Sequence, residues 1–474
     1  MLLINAANYW VFDIPQLFED MFIHQFQVST LETSLLYSVY SIPNFLFAPL
    51  GSSLLNHTGL GAGAVIFSAL IFLGYLTIYL GVAYTNFGLV IAGRAVFGMG
   101  AETLIICQAS IAEQWFTGKF LSLAIGMNNV MSFLSVAMAA YIGPALFVMN
   151  RSLEAPIFLC CVVCFISWIF AVVYYFIERK NLHLVVSEDD QKGAKFGLRD
   201  IGRLDLIFWL LACVFAFISM SYYQLTNFLT DFLMKRFGYS YLSSKDLVSM
   251  MPMIICVAIP VISSTVVAVG KKGYVLCVAS LLGWGSYYYM GTLPEEPSFR
   301  VVLGVVGVSL VYALYTSVIW TSLALVVPKQ ATSIALGLAS TFQNVLMTSM
   351  PLVFAAINKK RSAEAYNRSL LLLQGLCAGS LFFSVWVTVL DLRTGRILDL
   401  PENDIMVMSL RAKATEEFRR SVMTAATLKS FKSVDAAEAS LKVSSKGGGV
   451  SVSRGTKVEE SHDSDGAYRY AGDQ

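Results

Sequence analysis

Three ionisable residues stand inside long apolar stretches: Asp13, Arg94 and Glu102. A charge in hydrocarbon is costly and persists where it faces a cavity or a partner. Each is therefore a candidate for work on a solute. Arg94, Gly98 and Glu102 recur at every fourth position, which sets them on one broad side of a helix. Arg94 and Glu102 are then ~12 Å apart along the axis, too far for an ordinary ion pair. Arg94 reads as a tie between helices that supports a cavity. Glu102, beside Gly98 and Gly100 that leave room for a ligand, suits capture of a cationic amine. Asp13 lies in the first apolar stretch and is a second candidate for facing a cavity. Tyr222, Tyr223, Gln224 and Asn227 cluster in one later run, Trp320 in another, and Gln343 with Asn344 in a third. Tyr and Trp bury apolar area while keeping a polar handle, and amides bond backbone-like groups without charge. Such a set suits a broad pocket for peptide backbone. Helix–helix bonding is the competing role for each, and the stronger one for Gln343 and Asn344 taken singly.

Other chemistries find no support. The eight cysteines lack CxxC spacing, and the four histidines form no HExxH or other paired set, so neither a disulfide framework nor a metal site is expected. No paired acid–base constellation and no phosphate-binding Gly loop occurs. An enzyme is therefore not expected, nor a cofactor. A formal net charge of +2 gives no footprint for nucleic acid.

The elements that must position these residues are membrane helices. Hydrophobic residues make up 56% of the 474 and charged residues only 14%, against about 25% charged in a soluble domain. Crossing ~30 Å of hydrocarbon takes about 20 apolar residues. Such runs cover 36–55, 63–82, 88–108, 121–149 and 156–177, and then 206–229, 248–269, 274–290, 301–327, 334–357 and 370–392. A shorter one, 1–18, opens the chain. The expected class is all-α and polytopic, with twelve helices in two six-helix halves. The first half spans 1–177, a cytosolic central loop 178–204, the second half 205–392 and a cytosolic tail 393–474, whose Gly447-Gly448-Gly449 end reads as disordered.

Arg179, Lys180, Lys192, Lys195, Arg199 and Arg203 fall in the central loop, and the positive-inside rule puts it, with both termini, in the cytosol. Asn150 and Asn367, which begin Asn-x-Ser sequons, then face the opposite side, and the sequon at Asn56 faces the cytosol. The first run is short and has no basic residue before it, so the expectation is a truncated first helix, with Met1 lying inside it.

The layout and several blocks resemble the major facilitator superfamily. Gly93-Arg94-Ala95-Val96-Phe97-Gly98-Met99-Gly100-Ala101-Glu102 is similar to its fourth-helix motif. Gln108, Trp115-Phe116-Thr117-Gly118-Lys119 and Gly126 follow it. Tyr9-Trp10-Val11-Phe12-Asp13-Ile14-Pro15, Leu35-Leu36-Tyr37-Ser38-Val39-Tyr40-Ser41-Ile42-Pro43-Asn44, and Trp320, Val327-Pro328, Gly337 and Gln343-Asn344 agree in order. Together they resemble the lysosomal dipeptide uniporters of the major facilitator superfamily domain-containing protein 1 type. The resemblance runs from Tyr9 to Leu392. It implies that Glu102 meets a peptide's amino end. It implies also a lysosomal or endosomal membrane, with the plasma membrane as the alternative, and an accessory membrane glycoprotein as partner beside the bilayer and the small solute.

Two departures stand out. The fifth helix of that type carries an Arg for the peptide carboxylate; here Phe133 occupies the position. Asn128, Asn129 or Arg94 would have to serve, and none equals a fork of guanidinium donors. The 2–3 gating loop reads Gly51-Ser52-Ser53-Leu54-Leu55-Asn56-His57-Thr58-Gly59, with Asn56 where the superfamily has Asp, and Gly270-Lys271-Lys272-Gly273 has base without acid. A latch built on helix dipoles and amides is expected. The leading function is alternating-access uniport of a dipeptide or similar solute. The alternatives are proton-coupled symport of a sugar or organic anion, with Glu102 or Asp13 as proton carrier, and a non-transporting sensor or scaffold that acts through its tail.

Overall fold

A computed structural model of the chain describes residues 2–116, 119–181, 201–202, 204–328, 331–358, 362–394 and 397–401. The chain divides into two units, 1–419 and 420–474; the second, with most of the tail, lies outside the described residues. The central-loop residues 182–200 and 203 lie outside them as well.

Long apolar runs leave a chain in hydrocarbon one solution, the helix, because every backbone N–H and C=O must be satisfied internally. All regular structure in the described residues is helical. Among the described residues, nine helices are long and apolar enough to cross a membrane. They are α6 (Leu60–Ala83), α7 (Phe87–Trp115), α8 (Lys119–Asn150), α9 (Glu154–Asn181), α10 (Leu206–Phe237), α11 (Tyr241–Val269), α13 (Phe299–Leu325), α14 (Thr332–Ile357) and α15 (Ala363–Thr394). α12 (Lys272–Thr292) makes a tenth crossing.

The other two crossings are broken. The first is α1 (Leu2–Phe12), α2 (Ile14–Leu17) and α3 (Glu19–Phe26). It runs on past residue 18, where the apolar stretch was expected to end. Asp13 and Pro15 interrupt it: Asp13 takes a non-helical conformation, and Pro15 sits in the first turn of α2, where a missing N–H costs nothing. The second is α4 (Thr30–Ser41) and α5 (Asn44–Thr58), broken at Pro43. At that kink the Asn44 side-chain amide donates to the Tyr40 carbonyl at 3.0 Å.

The expected 2–3 loop is corrected. Gly51 and Asn56 lie within α5, and the connection is Gly59 alone, at φ +89°. Leu54 and Leu55 continue the apolar run, and only a residue free to adopt that φ can turn the chain so tightly into α6. Gly51 serves packing: a Cβ there would sit 2.5 Å from the Thr103 hydroxyl of α7. The side chain of Asn56 is outside the described residues.

The acid missing from both connections comes from elsewhere. Glu178, near the end of α9, accepts a hydrogen bond from the Gly61 amide in the first turn of α6. In the second half, Asp391 of α15 accepts from the Leu398 and Asp399 amides at 3.1 Å. That turn accepts in its turn from Lys271 and Lys272, Lys272 N to Leu398 O being 2.8 Å. Lys271 Nζ also lies 3.3 Å from Asp399. A carboxylate at or near a helix N-terminus therefore marks both halves. The start of the expected tail, residues 397–401, is thus docked on the 8–9 connection.

Close crossings rest on glycines. A Cβ on Gly93 would lie 2.6 Å from the Gly74 carbonyl, and one on Gly98 would lie 2.2 Å from the Tyr40 carbonyl. Both obstacles are backbone, so relief requires a helix to move, at about 1–3 kcal/mol for overpacking. Gly98→Ala is expected to lower the thermal midpoint of the purified protein and to weaken solute binding by drawing Tyr40 away. An unchanged melt with unchanged binding would show that the crossing yields freely.

The halves meet through two helix pairs, α4–α5 against α14 and α8 against α11. At the end near Gly59, Ser110 and Ser333 share a hydrogen bond of 2.8 Å, and a Cβ on Gly337 would touch the Ser52 hydroxyl at 2.4 Å. That end is shut. Towards the opposite end the halves part around a cavity of about 460 Å³, lined among others by Gln16, Glu19, Tyr37, Asn227, Asp231 and Phe354.

Candidate functional site

A second, smaller cavity of about 50 Å³ lies between the halves, deeper than the first. Glu102 faces it, 5% exposed. The kink at Pro43 sets Tyr40 so that its hydroxyl donates to Glu102 Oε1 at 2.9 Å. Asn344 of α14 lies within side-chain hydrogen-bonding reach of the same carboxylate. Asp13, at the break in the first crossing, lines the cavity too. Its carboxylate makes no salt bridge among the described residues; the Arg94 charge acts on it through space.

Arg94 is buried behind this wall. Its guanidinium donates to the carbonyls of Phe12 at 3.2 Å and Leu36 at 3.4 Å and lies 3.5 Å from the Tyr75 hydroxyl. The rings of Tyr37, Tyr40 and Phe97 surround it at 5.2–5.6 Å from their centroids. It ties α7 to the first, second and third crossings and does not line the cavity. A carboxylate partner for solute was one expectation for Arg94; its donors are turned instead to these backbone carbonyls.

Tyr223, Trp320 and Gln343 line the cavity beside Glu102. The Tyr223 hydroxyl meets that of Tyr312 at 3.1 Å, and Trp320 packs edge-on to Phe215 at 5.2 Å. Asn344 stands behind the lining, with its amide donating to Ser340 O at 2.8 Å. Asn128 and Asn129 line a separate crevice with Tyr9, Gln108 and Trp320. Asn129 donates across the seam to the Thr316 carbonyl at 3.2 Å. That crevice shares Tyr9 and Trp320 with the main cavity, and Phe133, one turn further along α8, lines the main cavity itself.

Several wall residues escaped the sequence reading. Asn8 lines the cavity, and its buried Oδ1 has no hydrogen-bond partner. Tyr312 stacks on Tyr222 at 4.0 Å and meets Phe133 edge-on at 5.6 Å. Phe12 of the first half and Tyr223 of the second, with centroids 5.5 Å apart, close the cavity towards the larger one. The Tyr37-x-x-Tyr40 and Tyr312-x-x-Tyr315 spacings put two rings on one helix face, a signal visible in the sequence.

Such a chamber, between two six-helix halves, shut at one end and capped by two rings towards the other, can bind a solute and expose it to one side at a time. The comparisons with known proteins agree. The lysosomal dipeptide transporter MFSD1 of Mus musculus is 26% identical over 367 residues, 73% of this chain and 76% of that protein. Its Homo sapiens counterpart is 26% identical over 376 residues, 76% and 79% of the two. The structure of the human organic anion transporter MFSD10 (TETRAN) aligns with TM-score 0.62 at 16% identity, over 81% of this chain and 96% of that one. The proton:xylose symporter XylE aligns with TM-score 0.63 at 14% identity, over 83% and 93%. At these identities the two structures speak for the fold alone. Residues 1–351 match the family profile "Major Facilitator Superfamily". The chain belongs to the Major Facilitator Superfamily: it is a multi-pass membrane transporter, not an enzyme, with twelve crossings in two six-helix halves.

Proposed function

We propose that this transporter is a uniporter for amine-bearing solutes of dipeptide size, acting by alternating access. The observation that carries this reading is Glu102: a buried carboxylate, oriented by Tyr40, facing a chamber between the halves. An ammonium group entering there exchanges water for a charge-assisted bond, among the stronger hydrogen bonds available. The distant relatives named as lysosomal dipeptide transporters support dipeptide-like cargo and a lysosomal membrane. The end near Gly59 then faces the cytosol and the 460 Å³ cavity faces the lumen. An accessory membrane glycoprotein remains a partner proposed from the resemblance.

Proton-coupled symport is the second reading, favoured by Asp13, a second carboxylate on the same chamber. Uptake by the purified protein in liposomes, with and without a pH gradient at zero membrane potential, separates the two. Uniport predicts equal initial rates at fixed solute gradient; a rate that rises several-fold with the proton gradient contradicts it.

Orientation has its own test. Asn150 is exposed at the end of α8. Asn367 sits inside α15, with its side-chain oxygen taken by Arg236 and its sequon Ser369 buried against Asn358. A glycan is expected at Asn150 and not at Asn367, read as a mobility shift that Asn150→Gln abolishes. A glycan at Asn56 would reverse the orientation.

A further inference from the structure

The wall of the central chamber is unbalanced in charge. Asp13 and Glu102 line it, and among the described residues no Lys, Arg or His does, either there or in the adjoining crevice of Asn128 and Asn129. The nearest cation of the fold, Arg94, spends its donors on backbone carbonyls behind the aromatic layer. Among the neutral groups of the wall, Tyr312 donates to Tyr223 and Tyr315 is bonded to Ser219 and to the Phe215 carbonyl; Tyr222, Trp320 and Gln343 offer polar groups too, but none of these side chains carries a charge to meet an anion. Acceptors remain available. Asn8 Oδ1 is buried without a partner on the same wall as Glu102. Aromatic rings complete the wall, with Phe133 wedged between Tyr9 and Tyr312 at 6.3 and 5.6 Å.

Acceptors and aromatic rings on one wall favour a cation twice, by charge-assisted bonds and by ring quadrupoles. A free carboxylate brought into the same space would be desolvated without a cation to meet it, at a cost of several kcal/mol for an ion left unpaired. We propose that the central site takes an organic cation whose far end is neutral, namely a primary amine or a peptide with its carboxyl blocked as an amide or ester. It selects against a free carboxylate, and Phe133 is the residue that sets this choice. The inference rests on the transport reading above and narrows its substrate class.

Four probes test it on the purified full chain: leucyl-alanine, leucyl-alaninamide, N-acetyl-leucyl-alanine and N-acetyl-leucyl-alaninamide, titrated by thermal shift and then assayed for uptake into liposomes. Leucyl-alaninamide is expected to bind at least tenfold more tightly than leucyl-alanine, with neither acetylated form shifting the melt. Phe133→Arg is expected to reverse the order, with leucyl-alanine the tighter ligand by tenfold or more. Equal or tighter binding of leucyl-alanine by the wild-type protein overturns the inference whether or not the variant folds, and so does a shift from N-acetyl-leucyl-alanine alone. Transport of leucyl-alanine in that case leaves the uniporter reading standing. Failure of both amine-bearing probes to bind or to move overturns the inference and the transport reading together.

Discussion

Replacing Glu102 with Gln is expected to weaken binding of an amine-bearing solute by tenfold or more while the protein still folds. The substitution keeps the shape and the contact with Tyr40, whose hydroxyl lies 2.9 Å from the carboxylate, and removes the charge. Hydrogen bonds to charged groups contribute about 1.5–3 kcal/mol, against about 1 for neutral pairs. The difference falls on the solute because Glu102 makes no ion pair with Arg94, whose donors point elsewhere. Tyr40→Phe removes only the orienting bond and should cost a smaller factor in the same direction. Titration by thermal shift measures both. Binding by Glu102→Gln equal to the wild type would remove Glu102 from the site.

Arg94 is expected to show the opposite pattern, a large loss of stability with little effect on the affinity of whatever survives. Arg94→Met leaves the carbonyls of Phe12 and Leu36 without their donor in a buried place and withdraws the cation from between three aromatic rings. Each buried acceptor left unsatisfied costs about 1–3 kcal/mol, and two carbonyls lose their donor here. The readouts are the yield of monodisperse protein and its melting temperature. Arg94→Lys should recover part of the loss at most, since an ammonium cannot reach two carbonyls and a hydroxyl as a planar fork does. A normal melt combined with lost binding would instead make Arg94 a solute ligand.

Much of this was legible in the sequence, for identifiable reasons. The apolar runs and the 3.6 period bring Arg94, Gly98 and Glu102 onto one side of α7, and that spacing keeps the two charges ~12 Å apart along the helix. The amides were harder to read. Gln343 lines the chamber and Asn344 stands one position away behind it, a difference of about 100° of helix rotation that local sequence does not resolve. Tyr312 and Asn8 were missed because a Tyr or Asn in an apolar run, even paired with Tyr315 or Asn5 on the same helix face, reads as helix glue until the opposing half is in place. The carboxylates near the connections could not be read from the sequence: Glu178 accepts from the Gly61 amide more than a hundred residues away, and Asp391 holds the 398–399 turn that meets Lys271 and Lys272. Pairing at such range has no local signature.

The most direct test of the account is solute counterflow. Purified protein in liposomes preloaded with unlabelled leucyl-alaninamide is given a trace of the labelled compound outside, with no ion or pH gradient. A uniporter working by alternating access through the Glu102 chamber accumulates label transiently above equilibrium, and Glu102→Gln abolishes the overshoot. Wild-type liposomes that take up no more label than protein-free ones would contradict the account.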